Sequence, residues 1–338
     1  MSHIISRRSD LRDSALAPST IKTYSKQLHH FLTHTRLTLQ QLPSLPAERL
    51  DALLADFINH LYRTGAPAAY GNHVIGGVLH QLPRMRDKLF ESRLCLRGWR
   101  NRSSTTSHPP LTWELAVLFA VVMSCNGHHA ESLGVLLSFD CYLRVGELTS
   151  LRVSDVVLPH DSRMGHSHTG MALRLARTKT GVNQWVSLRD SAVADLLELH
   201  VRALASTTDA AAFVFPFSPA HFRRLIRQCA SLCGIGSTPY VPHSLRHGGA
   251  TRDFLLGDTI EQIMFRGRWK AMDSARVYIQ TGRALLAAQA VPDSLCQLGA
   301  RIDERLQHVL RLLWTHVPNS TPVASRTRRS KVSFAVSD

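Results

Sequence analysis

Ten consecutive residues, Asn101 to Pro110 (NRSSTTSHPP), carry no apolar side chain and end in two prolines. A stretch of that composition cannot join a packed core, so it reads as a linker that divides the chain into separately folding parts. On its N-terminal side apolar residues recur at helical spacing only. Pro18-Ser19-Thr20 opens a first helix with Ile21, Tyr24, Leu28, Phe31 and Leu32 on one side and Lys22 and Lys26 on the other. A second spans about Ala47 to Arg63, where Leu50, Leu53, Leu54, Phe57, Ile58 and Leu61 form a stripe that ends before Gly65 and Pro67. A third is expected over Tyr70 to Leu82 and a fourth over Met85 to Leu96. Residues 18–100 therefore predict a small helical domain, preceded by a polar, disordered N-terminus over residues 1–17.

Beyond the linker the pattern mixes. Thr112 caps a helix reaching about Cys125, and Glu131 to Ser150 is expected to be helical again. Three short strand-like segments follow, Val153 to Leu158, Met171 to Ala176 and Gln184 to Leu188. The last two flank a turn, Thr178-Lys179-Thr180-Gly181, and the polar, His-rich stretch 160–170 has no assigned role. Helices resume at Ala192, and Ser218-Pro219 starts one over His221 to Cys233. After Tyr278 the chain reads as helical, with Leu285, Leu286, Leu295, Leu298, Ile302, Leu306, Val309, Leu310 and Leu313 as its apolar side. The expected fold is mainly α with a small antiparallel β-sheet (α+β): a helical domain over 18–100, a linker over 101–110, a second domain over 111–316, and a basic disordered tail over 317–338.

Charge narrows the partners. Lys and Arg number 40 against 25 Asp and Glu, a net charge of +15, and only six of the 40 are Lys. An excess carried by Arg forks points to phosphate, hence to nucleic acid, against the plainer reading of a basic surface kept for solubility. The apolar run Leu115 to Met123 is too short to span a bilayer, and MSHIISRRSD has no signal-peptide core, so no membrane contact and an intracellular location are expected. Six cysteines lie in mostly apolar stretches without a Cys-x-x-Cys pair, which reads as reduced and structural. Cys229 and Cys233 share a helix face but lack two further ligands at metal spacing, so no metal is expected.

An ordered set of reactive groups remains. Arg144 lies in CYLRVGEL with Glu147 three residues on, Lys179 in the turn, His243 and Arg246 in PHSLRHGGA, Trp269 in RGRWK, and Tyr278 nine residues later. Singly, each has an ordinary explanation. Arg144 and Glu147 suit a helix-face ion pair, Lys179 a solvated turn, His243 a helix cap, and Trp269 and Tyr278 core aromatics. The order and spacing of the whole set are what single readings do not explain.

On those residues the sequence resembles the tyrosine recombinases of the phage-integrase type. The likeness spans about Pro18 to Trp314, strong from Cys141 to Leu151, in TKTG, from His243 to Gly249 and from Trp269 to Tyr278, and weak in the N-terminal helices. It implies six catalytic positions: Arg144, Lys179, His243, Arg246, Trp269 and Tyr278. Glu147 would orient Arg144, and His247, directly after Arg246, would share a hydrogen-bond network with His243. It further implies a site-specific DNA recombinase or integrase that forms a 3′-phosphotyrosyl intermediate, with no cofactor, metal or ATP. Double-stranded DNA is the implied partner, and a homo-tetramer assembled on DNA through the C-terminal helix is the implied assembly, although that helix could equally pack on its own domain. Arg223, Arg224 and Arg227 on the helix after Ser218 are candidate DNA contacts against a solvated basic face, and Lys22 and Lys26 are weaker ones. A type IB topoisomerase and an inactive DNA-binding relative are the alternatives. The compartment expected is that of the DNA: cytoplasm and nucleoid, or the nucleus of a eukaryotic host.

Overall fold

The computed structural model describes residues 15–103, 108–159, 161, 170–178, 181–279, 282 and 291–319, with Arg177 described by its backbone only. Much of the His-rich stretch, the Lys179 turn, Leu285, Leu286 and most of the two terminal segments fall outside these residues. The chain divides into two compact units, residues 1–107 and 108–338.

The first unit is helical. Helices α1 (Pro18–Thr35), α2 (Ala47–Arg63), α3 (Ala69–Gln81) and α4 (Phe90–Arg102) pair α1 with α3 and α2 with α4. Leu28, Phe31, Leu50, Leu54, Phe57, Leu61, Val74, Val78 and Trp99 are buried between them. The last helix starts and ends later than its periodicity predicts, and Pro83–Met85 is a separate 3-10 turn. Asp51 on α2 explains the shift. Its carboxylate accepts the backbone N–H groups of Glu91 (2.8 Å) and Ser92 (3.0 Å) and the Ser92 hydroxyl (2.6 Å). Those are donors that a helix start leaves unpaired, so the cap comes from 40 residues upstream.

The second unit holds ten helices among the described residues and one small sheet. Helix α5 (Trp113–Cys125) packs on α6 (His129–Asp140), and Thr112 caps α5 as its sequence suggests. The expected helix over Glu131 to Ser150 is broken. Helix α6 stops at Asp140, Tyr142 adopts φ 49°, and a four-residue helix α7 (Val145–Leu148) follows. A tyrosine in the left-handed region costs on the order of 1 kcal/mol. Burial of its ring and a hydrogen bond from its hydroxyl to Asp253 offset that cost. The break also leaves the carbonyls of Cys141 and Tyr142 free to accept from other elements.

The sheet is an antiparallel meander of β1 (Val156–Val157), β2 (Ala172–Arg177) and β3 (Val182–Ser187), with Leu173 opposite Val156 on one side and Val186 on the other. The first strand is shorter than expected because Val153–Asp155 forms a 3-10 turn. Asp155 closes it by accepting from the Arg152 N–H (3.1 Å) and the Arg174 guanidinium (2.7 Å). Helices α8 (Ser191–Ala205), α9 (Pro219–Leu232), α10 (Pro242–Leu255), α11 (Ile260–Gly267) and α12 (Met272–Arg276) follow. Ser218 caps α9 by accepting the His221 N–H at 3.1 Å.

Two further helices, α13 (Asp293–Asp303) and α14 (Leu306–His316), pack on α5 and α8 of their own unit. Leu306 and Leu310 belong to the unit's core, Leu295, Ile302, Leu313 and Trp314 pack against it, and Trp314 Nε1 donates to Ser124 Oγ at 3.1 Å. Of the two arrangements open to this apolar stripe, the structure has the intramolecular one.

Helix α10 approaches its neighbours too closely for any side chain at two glycines. A Cβ on Gly248 would sit 2.0 Å from the Leu111 carbonyl oxygen, and one on Gly249 2.1 Å from that of Phe139. Gly146 has open space around it. We expect Gly249→Ala to destabilise the protein by about 3 kcal/mol or more in urea unfolding, and Gly146→Ala to stay within about 0.5 kcal/mol. Equal effects would contradict this packing.

Candidate active site

Four segments of the second unit converge on one side chain. Arg246, in the first half of α10, has no exposed surface. Its guanidinium lies 4.5 Å from the Trp269 ring centre and 5.1 Å from that of Tyr278. Nη1 donates to the Tyr142 carbonyl exposed by the α6–α7 break, and Nη2 donates to the Gly267 carbonyl at the end of α11 (2.7 Å). Arg246 Nε and Trp269 Nε1 are buried donors without a partner among the described residues. Both are donors that an acceptor placed between them would satisfy.

Arg144 caps α7 from an extended backbone (φ −75°, ψ 147°). Its N–H donates to Glu147 Oε2 (3.0 Å) and its Nη1 to Glu147 Oε1 (2.6 Å), while a fifth of its side chain stays exposed (20%). Glu147 also accepts from Arg268 Nη2 at 3.1 Å. Burial pushes the Glu147 carboxyl up, but Arg268 and Arg144 outweigh it and hold the group below its ordinary value. The same carboxylate thus fixes two guanidiniums.

Arg268 is the residue that sequence reasoning missed. It stands in the left-handed region (φ 57°) just after α11, buried, with Nη1 on the Arg266 carbonyl (3.1 Å) and Nη2 on the Tyr142 carbonyl (3.1 Å). A second arginine in RGRWK was visible, yet nothing in the sequence marks it as buried or ties it to Glu147.

Tyr278, just past α12, is half-buried. Its ring packs 4.6 Å from Trp269, 4.7 Å from His247 and 5.3 Å from His243, centre to centre. Thr251 donates to its carbonyl at 3.2 Å. His243, the second residue of α10, is half-buried and lies edge-on to His247 at 4.9 Å. Burial, and next His243, push the His247 imidazole down to about 4. The structure therefore brings Arg144, Glu147, His243, Arg246, His247, Trp269 and Tyr278 together. Lys179 lies outside the described residues. Arg223, Arg224 and Arg227 stand on the exposed side of α9 and line a cleft of about 810 Å³ with Val122, Met123 and Leu232, which none of those seven residues lines. Lys22 and Lys26 are exposed on α1, in the other unit.

No protein-family model matches the chain, and no curated protein matches it as a relative. Solved structures do. The XerH site-specific recombinase, bound to a palindromic difH substrate after cleavage, superposes with a TM-score of 0.52 at 15% identity over 80% of this chain and 78% of that one. The Tn1549 transposon integrase in complex with circular intermediate DNA gives 0.51 at 14% identity over 79% and 98%. The same integrase with transposon right-end DNA gives 0.51 at 14% over 80% and 99%.

The fold is that of the tyrosine recombinases. The sequence resemblance and the structural likeness agree on it, and the mainly α chain with one small antiparallel sheet is as expected. No helix among the described residues is long and apolar enough to cross a membrane.

The neutral state of His247 has a stability consequence. Above pH 6.5 both folded and unfolded chains hold it neutral. Between 6.5 and about 4 the unfolded chain binds a proton that the folded chain refuses, so stability falls as pH drops through that window. The stability difference between wild type and His247→Gln should therefore shrink from pH 7 to pH 4 in urea titrations. Parallel pH profiles would contradict a buried neutral imidazole.

Proposed function

We propose that this chain is a DNA strand transferase, a site-specific recombinase or integrase, with Tyr278 as nucleophile. One observation carries the reading. A tyrosine ring stacks on His247, meets His243 edge-on and packs against Trp269 beside a buried guanidinium, and two donors there, Arg246 Nε and Trp269 Nε1, have no partner among the described residues. That places a candidate nucleophile next to buried donors suited to a phosphate oxygen.

In this reading the Tyr278 oxygen attacks a phosphodiester in line. The P–O3′ bond is retained, the P–O5′ bond breaks, and a 3′-phosphotyrosyl link and a free 5′-hydroxyl result. Negative charge that grows on the non-bridging oxygens is met by Arg144 and Arg246, with Trp269 Nε1 as a further donor. An ordinary tyrosine has a pKa of about 10, so its proton needs an acceptor near neutral pH. His243 takes that role, with His247 holding the ring in place by stacking. Lys179 would protonate the leaving 5′-oxygen. Attack by a second strand's 5′-hydroxyl on the phosphotyrosyl bond reverses the sequence. One phosphoester replaces another at each step, so the scheme calls for neither ATP nor a metal.

Glu147 and Arg268 act through Arg144. Sharing one carboxylate among the fixed guanidiniums leaves the pocket net positive, as a phosphate site must be. Double-stranded DNA is the partner, and Arg223, Arg224 and Arg227 on α9 and Lys22 and Lys26 on α1 are the exposed cations assigned to its backbone. Recombination between two duplexes calls for a tetramer. With α13 and α14 packed in cis, that tetramer needs other surfaces, residues beyond α14, or release of the pair from its own core.

The test is a denaturation-resistant protein–DNA adduct on nicked suicide duplexes drawn from a random library, in EDTA, with wild type and Tyr278→Phe. We expect an adduct with wild type that is lost in Tyr278→Phe. Retention of the adduct in Tyr278→Phe would overturn the assignment. DNA binding with no adduct, on library and native genomic DNA alike, would favour an inactive DNA-binding relative.

A further inference from the structure

Away from Tyr278, three metal-ligating side chains meet where α6 and α9 begin. His128 is the cap residue of α6, Glu131 its third residue and His221 the third residue of α9. One ligating atom from each lies within 4.8 Å of the others. His221 Nε2 is 3.0 Å from Glu131 Oε1, and the two imidazoles stand at 70° with ring centres 5.6 Å apart. Zinc bonds of about 2.1 Å at tetrahedral angles put neighbouring ligand atoms about 3.4 Å apart, so small side-chain shifts suffice. Glu131 is buried (3%), while the His221 side chain keeps 19% exposure, enough for solvent at a fourth position.

The hydrogen bonds fix the state of His221. Arg224 Nη2 sits 2.8 Å from His221 Nδ1. A guanidinium only donates, so Nδ1 is an acceptor and the ring proton is on Nε2, which donates to Glu131. The metal-free arrangement is a relay: Arg224 to His221 to Glu131. A cation on Nε2 displaces that proton and moves the ring N–H to Nδ1. Nδ1 then no longer accepts, and Arg224 must leave for the cleft that it lines with Arg223 and Arg227.

We propose that His128, Glu131 and His221 bind a divalent cation of the zinc class, and that loading releases Arg224 from His221. Two histidines and a carboxylate with one open position are a zinc donor set. The site was not legible in the sequence because 90 residues separate Glu131 from His221. The i, i+4 pair Cys229 and Cys233 drew attention instead, and the structure has Cys229 buried with its thiol directed to the Phe119 carbonyl.

The test is titration of the full-length reduced protein with zinc chloride by calorimetry, against a competing chelator. One zinc per chain is expected. His128→Ala and Glu131→Gln should each weaken it by about 100-fold, since loss of a direct ligand costs at least what loss of an outer-shell partner does. Arg224→Ala should tighten it, because nothing then competes for Nδ1. A Cys229→Ser/Cys233→Ser variant should bind as wild type, and X-ray absorption should show nitrogen and oxygen neighbours without sulfur. Zinc binding that survives His128→Ala and Glu131→Gln, or that fails in the cysteine variant, would overturn the site, as would no one-to-one binding by wild type. Unchanged affinity in Arg224→Ala would overturn the coupling. None of these readouts depends on DNA cleavage, so they stand apart from the test of Tyr278.

Discussion

A guanidinium without solvent exposure organises the second unit. Moving a charge out of water costs several kcal/mol unless it is paired and hydrogen-bonded. Arg246 meets that cost with two backbone carbonyls and two aromatic faces. Each partner constrains the chain elsewhere. The Tyr142 carbonyl is available only because α6 ends at Asp140 and Tyr142 turns left-handed. The Gly267 carbonyl is available because α11 ends there, and a Cβ at that glycine would fall 1.9 Å from the Trp269 ring. The close seat of α10, at Gly248 and Gly249, puts His243, Arg246 and His247 on this one spot.

Charge balance follows from the same arrangement. Burial, then Arg144 and Arg268, press the Arg246 pKa downward, and Glu147 acts against them. Folding alone gains nothing from crowding these cations. A phosphate bound there would relieve the crowding with its own negative charge, and a transition state with more charge on its oxygens would relieve it further. Arg144 keeps a fifth of its side chain exposed, whereas Arg246 and Arg268 are buried.

What the sequence showed and what it hid divide along physical lines. Local periodicity placed α2, α5 and α9 well, since their apolar stripes and caps lie within a few residues. The α6–α7 break was invisible because its causes, the Asp253 acceptor and the demand of Arg246 for a carbonyl, sit more than 100 residues away. The start of α4 was hidden for the same reason, with its cap on α2. Within the site, reactive side chains in recognisable spacing were legible. Arg268 was not, because an arginine at a left-handed position has no local signature. Nor was the His128, Glu131 and His221 trio, which exists only once α6 and α9 pack.

The central claim is that this pocket makes a covalent bond between Tyr278 and the 3′ side of a broken DNA strand. The most direct measurement is mass spectrometry of the trapped adduct after nuclease and trypsin digestion. The account predicts a nucleotide joined through its 3′-phosphate to the peptide Val277 to Arg283, at Tyr278, with a free 5′-hydroxyl on the other DNA end. A nucleotide on a different residue, or one joined through its 5′-phosphate, would contradict it.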